Sequence, residues 1–304
     1  MLNREYAKVY FMKKNYLLLL FALISVTVYA HKSGPITYQH YGRAFRNDVC
    51  EVLTCDKDVT GRIEVPYNVS RDFGNWVVES IADGAFQECQ LSEVQLSGAI
   101  RTIGGRAFYN CPNLKVVELK RGVKFIETGA FSYCTKLETI NFPTSLKYIG
   151  DNAFYNCISL KEIVIEGDVE SLGQQAFFGC KALEKVTLNA PITKLEIAAF
   201  SDCSSLKTIT LPRVHTICSF AFERAGLQSI AIGPYIKKIE YSAFSFCSQL
   251  VDVYVFATTP PSAQSAFPYG ATKRMRLYVP PTAVEAYRAH PDWKDFGEII
   301  PYSL

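Results

Sequence analysis

A chain of 304 residues, 49% hydrophobic and 20% charged with no low-complexity run, has the composition of a folded protein and excludes bulk disorder. The formal charge of +3 resides in residues 1–30, where Arg4, Lys8, Lys13 and Lys14 face only Glu5. The remainder is neutral, which excludes the electrostatic footprint of a nucleic-acid or anionic-membrane binder.

The first predicted element is a secretory signal segment over residues 1–30. Lys13 and Lys14 precede an apolar run from Leu17 to Val28, and Val28-Tyr29-Ala30 supplies the small-residue ending, so cleavage is predicted after Ala30. The run is shorter than the ~20 residues that span a bilayer. Met12, directly before the lysines, is an alternative start. The expected location is the cell surface, the periplasm or the medium, with no integral membrane segment left after cleavage.

Residues 31–80 are expected to form N-terminal capping strands, and beyond them the sequence repeats. Ala-Phe pairs begin at Ala85, Ala107, Ala130, Ala153, Ala176, Ala199, Ala221 and Ala243, each 22 or 23 residues after the last. Such a period marks a solenoid, because one unit cannot bury its own apolar face and must stack on its neighbours. Each unit reads I-x-x-x-A-F-x-x-C-x-x-L-x-x-[IV]-x-[IL], as in Ile149, Ala153, Phe154, Cys157, Leu160, Ile163 and Ile165.

The Leu-x-x-Ile-x-Ile tail alternates like a short strand, and stacked copies predict a parallel sheet along one side. Pro143, Pro212 and Pro234 follow these strands and help to end them. The A-F-x-x-C part lies four residues after an isoleucine or leucine, which predicts a short helical or 3₁₀ segment with Phe buried between layers. The seventh unit has Ala225 in place of Cys and is one residue shorter before Leu227, as the first is before Leu91. The fold class is therefore an α/β-type repeat solenoid of about eight units over residues 81–256. A C-terminal capping unit over 257–304 follows, entered through Thr258-Thr-Pro-Pro261. There, Ala283 to Ala289 should form an amphipathic helix that sets Tyr287 and Trp293 against the last repeat.

In eight copies, the Ile-x-x-x-Ala-Phe-x-x-Cys-x-x-Leu line resembles the BspA-type leucine-rich repeat, a treponemal and bacteroidete class. Gly61 to Pro66 followed by Trp76 to Ile81 resembles the N-terminal strand pair of that family. Leu277 to Pro280 with Tyr287, Trp293 and Phe296 resembles its closing unit. The resemblance implies a surface-displayed array associated with adhesion to host proteins and other cells.

Little in the sequence points to catalysis. Cys89, Cys111, Cys134, Cys157, Cys180, Cys203 and Cys247 share one repeat position. Equivalent side chains in stacked repeats point in parallel, so these are expected to be buried free thiols rather than disulfides. Cys50 and Cys55 lie outside this ladder and would pair if their segment forms a hairpin. Cys218 reads as a packing variant. No C-x-x-C occurs, and His31, His40, His215 and His290 are scattered, so no metal or cofactor is assigned. No nucleophile elbow, phosphate loop or H-E-x-x-H occurs either, and no catalytic residue is assigned.

Two surfaces are candidates for recognition. One is the solvent side of the stacked strands: Glu93, Gln95, Glu118, Asn141, Glu162, Lys185, Thr187, Thr208, Thr210, Asp252 and Tyr254. The other is an aromatic stripe of Tyr109, Tyr133, Tyr155, Phe178 and Phe246, able to stack on sugars or enter a partner if exposed, or else packed over the neighbouring repeat. Asn68-Val-Ser70 is a formal glycosylation sequon. The leading reading is a monomeric, non-enzymatic recognition or adhesion module whose partner is a protein or glycan macromolecule. A glycan-binding accessory protein and a structural module without soluble ligand are the alternatives.

Overall fold

The structure, a computed structural model, describes residues 28–41, 49–71, 74–268 and 270–303. Most of the predicted signal segment lies outside the described residues. Its last three residues, Val28 to Ala30, are paired with Gln39 to Tyr41.

The aliphatic tail of each unit forms the expected parallel strand. One ladder runs through Thr60–Val65, Gln90–Leu96, Val116–Glu118, Thr139–Ile140, Glu162–Ile165, Lys185–Leu188, Thr208–Leu211, Ser229–Ile232, Asp252–Val255, Arg276–Val279 and Glu298–Pro301. Along it the apolar positions face inward. Ile163 and Ile165 are buried while Glu162 and Val164 are exposed, which is the alternation that a pleated strand requires. This main ladder is interrupted at two places, after Thr139–Ile140 and after Lys185–Leu188.

Thr139–Ile140 is also the shortest strand of this ladder: Phe142 replaces the aliphatic residue of the other units, and Pro143 lacks the N–H that at Asn189 and Gly233 donates back to the preceding turn. Asn141 substitutes for backbone pairing with its side chain: Leu119 N–H donates to Oδ1 at 2.8 Å, and Nδ2 donates to the Leu119 carbonyl at 2.6 Å.

A second parallel ladder forms from the isoleucine that opens each unit, in two-residue strands such as Thr102–Ile103, Phe125–Ile126 and Tyr148–Ile149. It begins in the N-terminal cap. There β1 (Val28–Ser33), β2 (Ile36–Tyr41) and β3 (Val49–Cys55) pair in turn as an antiparallel meander, and β3 then runs parallel to β6 (Gly74–Ile81). Between them, β4 (Thr60–Val65) starts the main ladder and β5 (Asn68–Arg71) lies antiparallel to β6. The two segments expected to form one N-terminal strand pair, β4 and β6, thus open two separate ladders.

The A-F-x-x-C segment differs from expectation. It forms no helix: it is a turn with left-handed residues directly before Ala and again four positions on. Arg106 (φ 54°) and Asn110 (φ 53°) hold these places in one unit, Asn152 (φ 56°) and Asn156 (φ 57°) in another. Helical backbone needs negative φ, so the chain changes direction twice where a single helical turn was expected. Gly129 and Gly179 take such places without a Cβ penalty, whereas Tyr133 (φ 63°) and Phe246 (φ 61°) hold them with bulky side chains. The positions are over-determined by bonds to the next turn: Phe108 N–H donates to Ala130 O at 2.7 Å, and Tyr133 N–H to Tyr155 O at 2.7 Å. Inter-turn hydrogen bonds therefore run along three sides of the solenoid.

At its centre lies a column of phenylalanines, fully buried from Phe86 to Phe244. Consecutive rings lie 4.8–5.9 Å apart and within 13° of parallel. The column includes a ninth member missed in the sequence, Phe267, whose ring lies 5.0 Å from Phe244. Phe244 N–H donates to Ala266 O at 2.9 Å as in every earlier turn. Pro268 follows Phe267, and neither the Cys nor the Leu of the repeat comes after it, so the segment reads as cap.

The short seventh unit spans with Gly226 alone a step for which its predecessor uses Ser204 and Ser205. An added Cβ at Gly226 would overlap the Ser204 carbonyl oxygen, so the shortening depends on glycine there. The expected C-terminal helix is present as α1 (Val284–Ala289), with Val284 and Tyr287 buried. Tyr287 Oη donates to Ala257 O at 3.0 Å, and Trp293 Nε1 donates to Pro261 O at 2.8 Å. Both large rings thus bury their apolar bodies against the last turn and satisfy their polar atoms there.

Candidate functional site

The outward side of the main ladder holds all eleven residues expected there, each half-buried or exposed. Most are already engaged. Arg62 reaches both Gln95 and Glu93, the latter at 3.9 Å, and Glu118 meets Lys120 at 3.3 Å. Glu162 and Lys185 pair across adjacent strands at 2.5 Å, and Asp252 takes a two-pronged grip from Arg276 at 2.7 and 2.9 Å. Asn141 is committed to Leu119 as described. Tyr254 stacks on Tyr278 at 4.3 Å, with Tyr302 edge-on at 5.2 Å. Exposed ion pairs contribute little to stability, so these contacts mainly order the surface.

Three members remain without a side-chain partner among the described residues: Thr187, Thr208 and Thr210. They adjoin a shallow concavity lined by Lys185, Thr187, Asn189, Thr208, Thr210 and Pro212. A second concavity, lined by Val116, Glu118, Lys120, Thr139 and Asn141, lies on the same face. The first concavity spans the interruption after Lys185–Leu188, where adjacent strands are no longer drawn together by backbone bonds, whereas the second lies over the paired strands Val116–Glu118 and Thr139–Ile140.

The aromatic stripe is partly assembled. Tyr109 meets Tyr133 at 5.5 Å, Tyr133 meets Tyr155 at 5.4 Å, and Tyr155 stacks on Phe178 at 4.8 Å with rings 5° from parallel. The rings are half-buried to exposed, with Arg106 over Tyr109 at 5.6 Å. Phe246 stands apart, 65% exposed, with Arg224 over its face at 5.0 Å. Sequence reading did not foresee the tyrosine cluster of Tyr254, Tyr278 and Tyr302, because Tyr278 and Tyr302 lie beyond the last Ala-Phe unit.

The seven ladder cysteines are free and fully buried. Cys111 donates its thiol to Phe86 O at 3.0 Å, Cys134 to Phe108 O at 3.0 Å and Cys157 to Phe131 O at 3.2 Å. A small apolar side chain with one weak donor suits a core position facing a carbonyl. The hairpin on which a Cys50–Cys55 disulfide depended does not form between them, and both thiols are free. Both residues lie on the single strand β3, where five residues span ~16 Å, far beyond the reach of a disulfide. The segment does enter a meander, but the turn lies outside the span between the two cysteines. Among the described residues no group of three His, Cys, Asp or Glu could hold a metal ion, and no helix is long and apolar enough to cross a membrane.

The BspA type Leucine rich repeat region matches in six copies over residues 74–184 and 171–273, well over half of the chain. The chain belongs to the BspA-type leucine-rich repeat family. Its fold resembles that of a leucine-rich repeat protein from Bacteroides ovatus, with a TM-score of 0.64 and 24% identity over 90% of this chain and 77% of that one. It also resembles the Leucine Rich Repeat protein of T. pallidum, with a TM-score of 0.55 and 25% identity over 73% of this chain and 91% of that one. No curated protein matches.

In this BspA-type array the thiols give a pH signature. Burial pushes Cys180 and Cys247 up to about 12, from 9.0. A thiol whose pKa is raised on folding stabilises the fold fully below pH 9, and that contribution disappears as pH climbs from 9 to 12. Stability in urea should therefore fall across this window by up to about 1.4 kcal/mol per pH unit for each such thiol. Ladder thiols should also resist iodoacetamide at pH 8 until the chain is unfolded; rapid native-state labelling of Cys180 would contradict this.

Proposed function

We propose that the chain is an exported, non-enzymatic recognition module that binds a protein partner on the outward face of the main ladder, centred on Thr187, Thr208 and Thr210. The observation that carries this reading is their availability. They alone among the eleven face residues have no side-chain partner within the described fold, and they adjoin a concavity bordered by the ordered pair Glu162–Lys185, with the Asp252–Arg276 pair beyond the next strand, Ser229–Ile232. Short hydroxyl side chains on rigid strands can accept a partner at small entropic cost, and fixed charges at the margins favour one orientation. The N-terminal signal-like segment supports export.

A protein is favoured over a glycan because sugars stack on free aromatic faces. No aromatic ring lines the concavity beside the three threonines, and in the aromatic stripe Tyr155 and Phe178 each cover one face of the other. The test is a binding screen of the full chain against host matrix proteins and a glycan panel, repeated with Thr208→Arg and Thr210→Arg. These exposed substitutions should change stability by less than about 0.5 kcal/mol and weaken binding at least ~10-fold. Binding unaffected by them but abolished by Tyr133→Ala would move the site to the aromatic stripe, and binding to glycans alone would overturn the choice of partner.

A further inference from the structure

The six ladder thiols from Cys111 to Cys247 each face the Phe of the preceding turn; before Cys89 that place is not held by phenylalanine. Cys55 holds it. Its N–H donates to Ala85 O at 2.8 Å, just as Phe86 N–H donates to Ala107 O at 2.7 Å and Phe108 N–H to Ala130 O at 2.7 Å. Cys89, the first ladder thiol, therefore looks across at a second thiol where Cys111 looks at Phe86. The Cys89 thiol also donates to the carbonyl of Asp56, the residue next to Cys55, at 3.7 Å, and the two thiols are near enough to shift one another's pKa, Cys55 up and Cys89 down. Both are buried.

Cysteines at the same place in successive turns point in parallel, which disfavours the near-perpendicular dihedral of a disulfide. Cys55 and Cys89 occupy different places, in the Phe column and the Cys column, and converge from two walls of the core. We propose that Cys55 and Cys89 form a disulfide site, closed as the chain folds in contact with a disulfide oxidant, that fastens the N-terminal cap to the first repeat.

The chemistry balances by exchange. The Cys89 thiolate attacks a sulfur of the oxidant disulfide and expels one thiolate. Cys55 then gives up its proton and attacks the Cys89 sulfur, expelling the second. Two protein thiols become one disulfide, and one oxidant disulfide becomes two thiols. The two thiols can exchange these roles, because either can attack first while both are still open to solvent. Both sulfurs are enclosed once the cap is seated, so exchange belongs to the folding stage.

The test is to refold the full, reduced chain in mixed reduced and oxidised glutathione, alkylate the remaining thiols in denaturant and digest without reductant. Mass spectrometry should find the Cys55 and Cys89 peptides joined and two hydrogens lighter, with Cys111 to Cys247 alkylated. The oxidised chain should melt roughly 5–10 °C above the same chain in reductant, and Cys55→Ala should remove that difference. Recovery of Cys55 and Cys89 as alkylated thiols, or of Cys55 joined to Cys50, would overturn the proposal, and the peptide result stands even if Cys55→Ala fails to fold.

Discussion

Phe154→Ala should cost about 3–5 kcal/mol, seen as a large drop in the urea midpoint. Phe154 is fully buried between Phe131 at 5.3 Å and Phe177 at 5.1 Å, with Phe142 edge-on at 5.6 Å. In a typical core the neighbours would relax into the void and recover part of the loss. Here they are held apart, because Phe131 N–H is bonded to Ala153 O and Phe154 N–H to Ala176 O, both at 2.8 Å. The cavity should therefore stay open and the cost should fall near the top of the range. Since each turn contacts only its neighbours, a weakened middle should also divide one unfolding transition into two. A single transition with an unmoved midpoint would mean that the column does not organise the array.

Trp293→Ala should cost a similar ~3–5 kcal/mol, but locally. Trp293 is fully buried, meets Phe267 at 5.7 Å, Tyr287 at 5.5 Å and Phe296 at 5.4 Å, and donates to Pro261 O. Its removal leaves a buried carbonyl without its donor and uncovers the last phenylalanine of the column. Hydrogen exchange should accelerate first from Pro261 to Pro301, while the amides of the central turns keep their protection. Uniform acceleration along the chain would show that the cap is not a separate unit of stability.

The sequence made the axial organisation legible because stacking demands repetition: Phe, Cys and the strand aliphatics recur where the layers must match. It concealed the A-F-x-x-C geometry. Four-residue spacing belongs equally to a helical turn and to a turn with two left-handed residues, and side chains as different as Arg106, Asn152 and Ala198 hold the first of those places. Phe267 escaped notice because Pro268 breaks the motif immediately after it. The outward strand face could be assigned from alternation alone, yet alternation says nothing of which members are spent on neighbours. Asn141 looked like a ligand-facing amide and proves to be a backbone clamp, while Thr208 and Thr210, chemically plainer, are left available. Sequence left the pairing of Cys50 and Cys55 open, conditional on a hairpin, whereas β3 holds them apart and the stacking of turns sets Cys55 near Cys89.

The hydrogen bonds on three sides of the solenoid all join one turn to the next, so they lie along its length. A pull applied between the two ends would load successive turns in series, each interface bearing the same tension. The weakest would give way first, releasing one repeat of about 23 residues, some 75–80 Å of extended chain. A tether built this way lengthens in steps and dissipates force a turn at a time.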